Sequence, residues 1–375
     1  MVDLDISIIG AGVAGLTAAT ALAQRGARVR VLEQADALRE VGAGLQISPN
    51  AIRVFDALGL WPRFAQVSLA SERVELCDSA GRPVARLDLA RHRPQDRFRL
   101  IHRARLVEML AEAATAAGAH IHFGQTVDDL PKADLVIGAD GVKSRLRGGL
   151  NGPETAFFTG QTAWRCLIPA EPGAAPVAQV FMGPGRHLVS YPLAGGLRNI
   201  VAVLERPDWQ DEGWSQPADP AELRAAFAHF GGPVPGWLAR IDQLSLWGLF
   251  RHPVAAHWQR PATSDSPGLA LIGDAAHPTL PFLAQGAVMA IEDAWVLSAC
   301  LAAAPLPQAL ARYEALRKPR CQRIVEAANA NARNYHLKGP TRAVAHAGLR
   351  AINRLAPTRL IERFAWLYDH DPTAL

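Results

Sequence analysis

The chain has 375 residues, which at roughly 150 residues per domain suggests two domains or three. Hydrophobic residues make up 49% and charged residues 20%, an ordinary globular mixture that excludes wholesale disorder. Basic residues number 39 against 35 acidic, net +4, with no block of like charge, so neither nucleic-acid nor membrane binding has compositional support. Cys77, Cys166, Cys300 and Cys321 stand far apart, with no CxxC pair and no metal-ligand spacing. A reduced cytoplasmic protein without a metal centre or a disulfide framework is expected.

In chain order, residues 5–9 (DISII) read as a buried strand, 13–25 as an alanine-rich helix and 28–32 (RVRVL) as a second strand, together one βαβ unit. The uncharged run 6–24 is long enough to span a bilayer. However, Asp3 and Asp5 precede it where a signal peptide would be positive, and Gly10, Gly12 and Gly15 lower its hydrophobicity. A strand and a packed helix fit better, and no targeting segment or internal repeat is expected. Residues 50–60 and 104–117 have helical apolar spacing, and 73–89 read as a hairpin turning at Gly81-Arg82-Pro83. Residues 134–138 (DLVIG) and 269–273 (LALIG) are buried-strand runs. Between Val177 and Glu205, alternating apolar segments separated by Gly and Pro turns predict an antiparallel meander, and 207–220 predict a loop. Long helices are expected over 286–303 and 308–333, and a basic helical segment over 340–375.

Three motifs carry chemistry. In Gly10-Ala-Gly12-Val-Ala-Gly15, Gly10 permits the tight turn, Gly12 admits a pyrophosphate and Gly15 lets helix and strand pack closely. The helix N-terminus offers free N–H groups to phosphate, and Glu33, ending the second strand, suits a ribose diol. Asp140-Gly141 closes a buried strand at the end where open α/β sheets bind ligands; alone it is either that or an ordinary Asp-Gly turn. The third, Gly273-Asp274-Ala-Ala-His277-Pro278 through Pro281-Phe282 to Gly286, is a strand end, a proline-constrained loop and a helix start. Asp274 suits ribityl hydroxyls, and the helix start suits a flavin ring gaining negative charge. In the strand 187–193, His187, Val189 and Tyr191 share one face and Leu188 and Ser190 the other. The residues alone allow either a phenol-binding pair or a packed cross-strand pair.

GAGVAG, DLVIGADGVKSR and LIGDAAHPTLPFLAQGAVMAIEDA, in that order, resemble the single-component FAD-dependent aromatic hydroxylases of the para-hydroxybenzoate hydroxylase fold. GAGLQISPNA (42–51), IHRARL (101–106), HLVSYPL (187–193) and WLYDHD (366–371) are similar to the branch with salicylate hydroxylase, 3-hydroxybenzoate 6-hydroxylase and 6-hydroxynicotinate 3-monooxygenase. The resemblance implies an α/β fold with an α+β insert. A Rossmann-like FAD-binding domain (1–72, 97–155 and 265–330) would be interrupted by a β-sheet substrate domain (73–96 and 156–264) and followed by C-terminal helices (331–375). It implies that Gly10, Gly12, Ala14 and Gly15 hold the FAD pyrophosphate and Glu33 the adenosine ribose. Arg103 would contact FAD, Val127 would lie beside the adenine, and Asp140 would belong to the motif shared by FAD and the nicotinamide donor. Asp274 would bind the ribityl or pyrophosphate region, with Gly286 and Ala287 beneath the isoalloxazine. His187 and Tyr191 would face the substrate, His187 as proton acceptor and Tyr191 orienting the ring.

The implied reaction is hydroxylation of a small phenolic or N-heteroaromatic compound with non-covalent FAD, NADH or NADPH as transient donor, and O₂, through a flavin C4a-hydroperoxide. Partners are then small molecules, with no nucleic acid or membrane, and a homodimer is among the assemblies left open. Departures limit the substrate. Phe282 and Gln46 stand where the hydroxynicotinate enzyme has histidines, and Pro281 where the 3-hydroxybenzoate enzyme has glutamine, giving a more apolar pocket. His277 is expected to be structural. Trp164 and Arg165 open the WRCLIP strand and either line the pocket or form a packed tryptophan and a solvated arginine, the second being the expectation. The rivals are an FAD-dependent oxidase or tailoring enzyme with a non-aromatic substrate, and a non-catalytic FAD sensor. A flavin disulfide reductase would need a close cysteine pair.

Overall fold

A computed structural model describes residues 4–38, 43–209 and 216–375. The first strand, Asp5–Ile9, lies inside a six-stranded sheet of order Gln259–Arg260, Gly268–Leu271, Leu135–Gly138, Asp5–Ile9, Arg28–Leu32 and His120–His122. All neighbours pair in parallel except the short edge strand Gln259–Arg260. Parallel strands are covered on both faces, which is why their residues read as continuous apolar runs. The helix Val13–Ala23 is buried along nearly its whole length and packs against Gly286–Ala303. Alanine and glycine at that contact let the helices approach: a Cβ on Gly273 would lie 2.9 Å from the Ala14 methyl. Residues 6–24 are thus a strand and a helix, both inside the core. Gly286–Ala303 is long and apolar enough to cross a membrane, but it too is mostly buried within the protein.

The second sheet has eight strands, in the order Gln216–Pro217, Ser245–Arg251, Phe157–Pro169, Leu197–Glu205, Arg186–Leu193, Val177–Gly183, Arg73–Asp78 and Pro83–Asp88. The expected meander forms its centre, with Arg186–Leu193 antiparallel to both neighbours. The hairpin from earlier in the chain joins through a parallel pairing of Arg73–Asp78 with Val177–Gly183, a long-range contact that no local pattern announces. A three-stranded sheet of Gly44–Ile47, Arg99–His102 and Leu69–Ala70 connects the two. Gly44 touches the larger sheet directly. Its N–H donates to Asn199 Oδ1 at 2.8 Å, and a Cβ there would lie 2.5 Å from the Tyr191 ring.

Several elements differ in detail from their sequence patterns. The helix expected over 50–60 runs Pro49–Ala57, ending before Gly59, which is left-handed (φ 72°), and a separate helix, Trp61–Val67, follows with Pro62 in its first turn. The strand Gln259–Arg260 pairs within the six-stranded sheet, ahead of the expected return at 265. The loop expected over 207–220 lies partly outside the described residues; Gln216–Pro217 forms the short edge strand named above. The helix expected over 308–333 runs Leu306–Tyr335. After it, Gly339–Leu355 lies along the hairpin, where Arg350 Nε donates to the Pro83 carbonyl at 3.1 Å and the Arg86 N–H donates to Asn353 Oδ1 at 2.8 Å.

Candidate active site

A cavity of about 680 Å³ runs from the glycine turn to the eight-stranded sheet. Gly12, Ala14, Arg103, Asp274, Gly286 and Ala287 line one end, and Gln46, His187, Tyr191, Pro281 and Phe282 line the rest. Gly10, Gly15, Glu33, Val127 and Asp140 are not among its lining residues. They act around it. Gly10 has φ 105°, and a Cβ there would strike the Ala139 carbonyl oxygen at 2.5 Å. A Cβ on Gly15 would lie 2.0 Å from the Gly10 carbonyl oxygen. Glu33 closes the turn, accepting from the Ala11 N–H at 2.8 Å and the Ala35 N–H at 2.9 Å. Val127 is half-buried in the loop after the His120–His122 strand. Asp140 accepts from the Arg145 N–H at 3.0 Å through Oδ2, while its buried Oδ1 has no protein partner. Burial raises its pKa above the ordinary aspartate value.

The residues fit FAD on an observation independent of the motif. A Cβ on Gly12 would meet nothing within 4 Å, so no protein atom demands a glycine there; the open space beside it belongs to the cavity. Asp274 reaches the same space, its pKa raised by burial against the opposing pull of His277 and Arg103. The helix Gly286–Ala303 points its N-terminus at the cavity. Ala284 just before it is left-handed (φ 54°), a conformation that costs an alanine about 1–2 kcal/mol. This strained residue lines the cavity, and nothing in the sequence marked it.

His187 and Tyr191 lie on the cavity face of Arg186–Leu193, as the alternation requires, while Leu188 packs into the core on the other face. The His187 ring is held between Phe282, Tyr335 and His336, at centroid distances of 5.6, 5.0 and 4.9 Å. Burial, reinforced by His336, drops its pKa well below the usual histidine value, so the imidazole is neutral. Burial raises the Tyr191 phenol, with Arg165 acting against it. Phe282 is anchored from behind: Asn331 Nδ2 donates to its carbonyl and to the Tyr335 hydroxyl, each at 3.0 Å.

One expectation is overturned. Trp164 is packed, edge-on to Phe227 at 6.4 Å, but Arg165 is not solvated. Successive strand residues face opposite ways, so Arg165 points to the cavity, its guanidinium 4.5 Å above the Trp247 ring. Desolvation, with Arg103 nearby, lowers its pKa to about 10, which leaves it charged at neutral pH. Tyr335, Asn331 and Trp247 also line the cavity and carry no sequence signal of their own, since only the packing brings them here.

His277 is structural. Its Nε2 lies 2.5 Å from Asp293 Oδ2, which also accepts from the Gly273 N–H at 2.9 Å; Arg317 Nε donates to Asp293 Oδ1 at 2.8 Å. The ligand atoms of His277, Asp293 and Cys321 lie within 4.8 Å of one another, but the Arg317 guanidinium holds the place a cation would take. Glu292 beside it binds Arg317, Arg320 and Asn50.

A mainly parallel sheet with a glycine turn, sharing its cleft with a mainly antiparallel sheet, is the architecture of a flavin-dependent oxygenase. The FAD binding domain family model matches residues 3–132 and 130–328. The chain is 35% identical to the 3-amino-4-hydroxybenzoate 2-monooxygenase PtmB3 of Streptomyces platensis, over 98% of this chain and 96% of that one. It is 32% identical to the 3-hydroxybenzoate 6-hydroxylase of Polaromonas naphthalenivorans, again over 98% and 96%. Among solved structures, Klebsiella pneumoniae HpxO with FAD and uric acid superposes with a TM-score of 0.81 at 26% identity, covering 96% of this chain and 95% of that one. A salicylate hydroxylase substrate complex does so with a TM-score of 0.79 at 24% identity, covering 100% and 97%. The chain belongs to the FAD binding domain family and is an FAD-dependent aromatic monooxygenase drawing electrons from NAD(P)H.

Proposed function

We propose that this enzyme hydroxylates a small aromatic acid carrying an ionisable phenol, of the amino- or hydroxybenzoate type. The observation that carries this reading is His187: a neutral, buried imidazole at the cavity wall, on one strand face with Tyr191. A neutral imidazole accepts the phenol proton, and the resulting oxyanion activates the ring carbon beside it. Tyr191 orients the ring. Arg165, charged and desolvated over Trp247, supplies the fixed positive charge that a carboxylate requires. Phe282, Leu249, Val201 and Val203 keep the space apolar and exclude water. Bound FAD supplies hydride acceptance from the nicotinamide and the activation of O₂. Gly12 and Ala14 admit its pyrophosphate, Asp274 and Arg103 hold the adjoining hydroxyls and phosphate, and Glu33 the adenosine ribose. Gly286 and Ala287 present helix N–H groups to the ring that gains charge. Four buried free thiols suit the reducing cytoplasm, where this enzyme would work.

The test is a panel of 3-amino-4-hydroxybenzoate, 3-hydroxybenzoate, salicylate, 6-hydroxynicotinate and the uncharged 2-aminophenol, scored by NADH consumed against H₂O₂ released. One of the acids should accelerate NADH oxidation with little peroxide, and 2-aminophenol should be poorly coupled. Equal coupling with 2-aminophenol would remove the carboxylate from the reading. If no aromatic compound accelerates NADH oxidation, the phenolic-acid reading fails.

A further inference from the structure

His187 is buried, so a proton it accepts needs a neighbouring group to carry it onward. Among the described residues, a line of hydrogen-bonding side chains leads from it to the surface. His187 Nδ1 lies 2.7 Å from His336 Nε2, and His336 Nδ1 lies 3.2 Å from Glu205 Oε1. Exposure rises along this line: His187 is 2% exposed, the His336 side chain 3% and the Glu205 side chain 38%. Lys338 Nζ donates to the other Glu205 oxygen at 2.6 Å. His336 Nδ1 has a second neighbour, Gln161 Nε2, at 3.3 Å. A carboxylate only accepts and an amide nitrogen only donates, so the two contacts on Nδ1 serve two different protonation patterns.

In the first pattern His336 Nδ1–H donates to Glu205. Its Nε2 then accepts from His187 Nδ1–H, and the Nε2 of His187 is a bare lone pair for a ligand in the cavity. In the second pattern Gln161 donates to His336 Nδ1, His336 Nε2–H donates to His187 Nδ1, and His187 carries its proton on Nε2. Each pattern satisfies His187 Nδ1 and both ring nitrogens of His336 from residues already in place, and leaves His187 Nε2 to the cavity. Resting on the reading of His187 as the phenol's proton acceptor, we infer that His336, Glu205 and Gln161 form a proton relay between the cavity and the surface, with His336 and Glu205 as its positioning residues. The phenol O–H bond breaks and its proton binds His187 Nε2. The Nδ1 proton of His187 passes to His336 Nε2, and the Nδ1 proton of His336 passes to Glu205 and on to water. When the product leaves with a proton from His187 Nε2, the chain refills inward from Glu205.

The surroundings favour passing the proton over storing it. Burial lowers the pKa of His336, against the pull of Glu205, with Lys338 and Arg186 disfavouring the charged ring. His187 is disfavoured as a cation by burial and by His336. Tyr335, packed on the His187 ring, has its phenol pKa raised by burial and stays neutral.

Two measurements decide the matter. In the ligand-free FAD holoenzyme with ¹⁵N-labelled histidine, both His187 and His336 should be neutral Nδ1–H tautomers, because the charged Glu205 is the stronger partner. In Glu205→Leu, where only Gln161 remains, both should switch to Nε2–H. Unchanged tautomers would overturn the relay. The second measurement uses whichever panel acid wild type hydroxylates. His336→Gln keeps a hydrogen bond to His187 but cannot hand on a proton. Its hydroxylation at neutral pH should slow by on the order of tenfold or more, within what a positioned base contributes. H₂O₂ released per NADH should rise, and the defect should shrink as pH approaches the phenol's own ionisation near ~10. A purely structural role would give no pH-recoverable defect. Wild-type rate and coupling in His336→Gln at neutral pH would also overturn the relay. Should wild type hydroxylate no panel acid, the substrate reading fails and the tautomer measurement alone decides the relay.

Discussion

Gly12 and Gly15 share one turn yet are glycines for different reasons. The space beyond Gly12 is empty of protein, whereas a Cβ on Gly15 would sit inside the Gly10 carbonyl. Gly12→Val should therefore fold with a near-normal Tm and emerge without flavin, read as the 450 nm band per chain. A Gly12→Val protein with full flavin content would remove the pyrophosphate assignment. Gly15→Ala should instead destabilise the fold whether or not FAD is supplied, because backbone must move. At the other end of the cavity, His187→Asn should fold and keep FAD while hydroxylation slows by on the order of 10²–10⁴. NADH oxidation should survive in part, with H₂O₂ rising as hydroxylation falls. Since burial lowers the His187 pKa, the acid limb of kcat/KM in wild type should lie below the ordinary histidine value of about 6.5. A His187→Asn enzyme with wild-type coupling would leave His187 as a packing residue.

The helix Gly286–Ala303 does two jobs at once. Its first turn faces the cavity, while one turn further on Glu292 and Asp293 enter a buried ionic cluster with Arg317 of the next helix. Burial alone would raise both carboxyl pKa values, but Arg317 with Arg320 holds Glu292 at about 2, and His277 with Arg317 holds Asp293 at about 2. These folded values lie below the unfolded ones of about 4, so their stabilisation is complete above pH ~4 and is lost as pH falls through ~2. Removing the arginine takes away the cation that both buried carboxylates share, leaving Glu292 to Arg320 and Asp293 to His277. Arg317→Met should cost about 3–5 kcal/mol in urea unfolding and should move acid unfolding to higher pH, followed by tryptophan fluorescence. An unchanged urea midpoint would show that the cluster does not hold this helix in place.

At the scale of the molecule, catalysis needs the two large sheets at a fixed separation, and Gly44 sits where they meet. Its hydrogen bond to Asn199 and its contact with Tyr191 leave no room for a side chain. Gly44→Ala should cost about 1–3 kcal/mol by overpacking. Because the intrusion is at Tyr191, coupling of NADH oxidation to hydroxylation should fall while flavin content holds. Full coupling in a folded Gly44→Ala enzyme would mean that the sheets can shift without disturbing the site.

The βαβ start, the glycine turn, the meander and the long helix from Gly286 were legible in the sequence because each rests on local rules. Strand period, helix period and turn chemistry act within a dozen residues, and the His187–Tyr191 face follows from alternation alone. Arg165 shows where such rules stop: alternation gives it a face, but whether that face meets water or a cavity depends on Trp247, far along the chain. The parallel joining of Arg73–Asp78 to Val177–Gly183 and the meeting of His187 with His336 and Glu205 were likewise invisible. They bring together residues far apart in sequence, whose proximity is decided by how whole sheets and helices pack. The sequence by itself determined the elements and the cofactor; the tertiary structure alone decided which side chains share the dry space beside it.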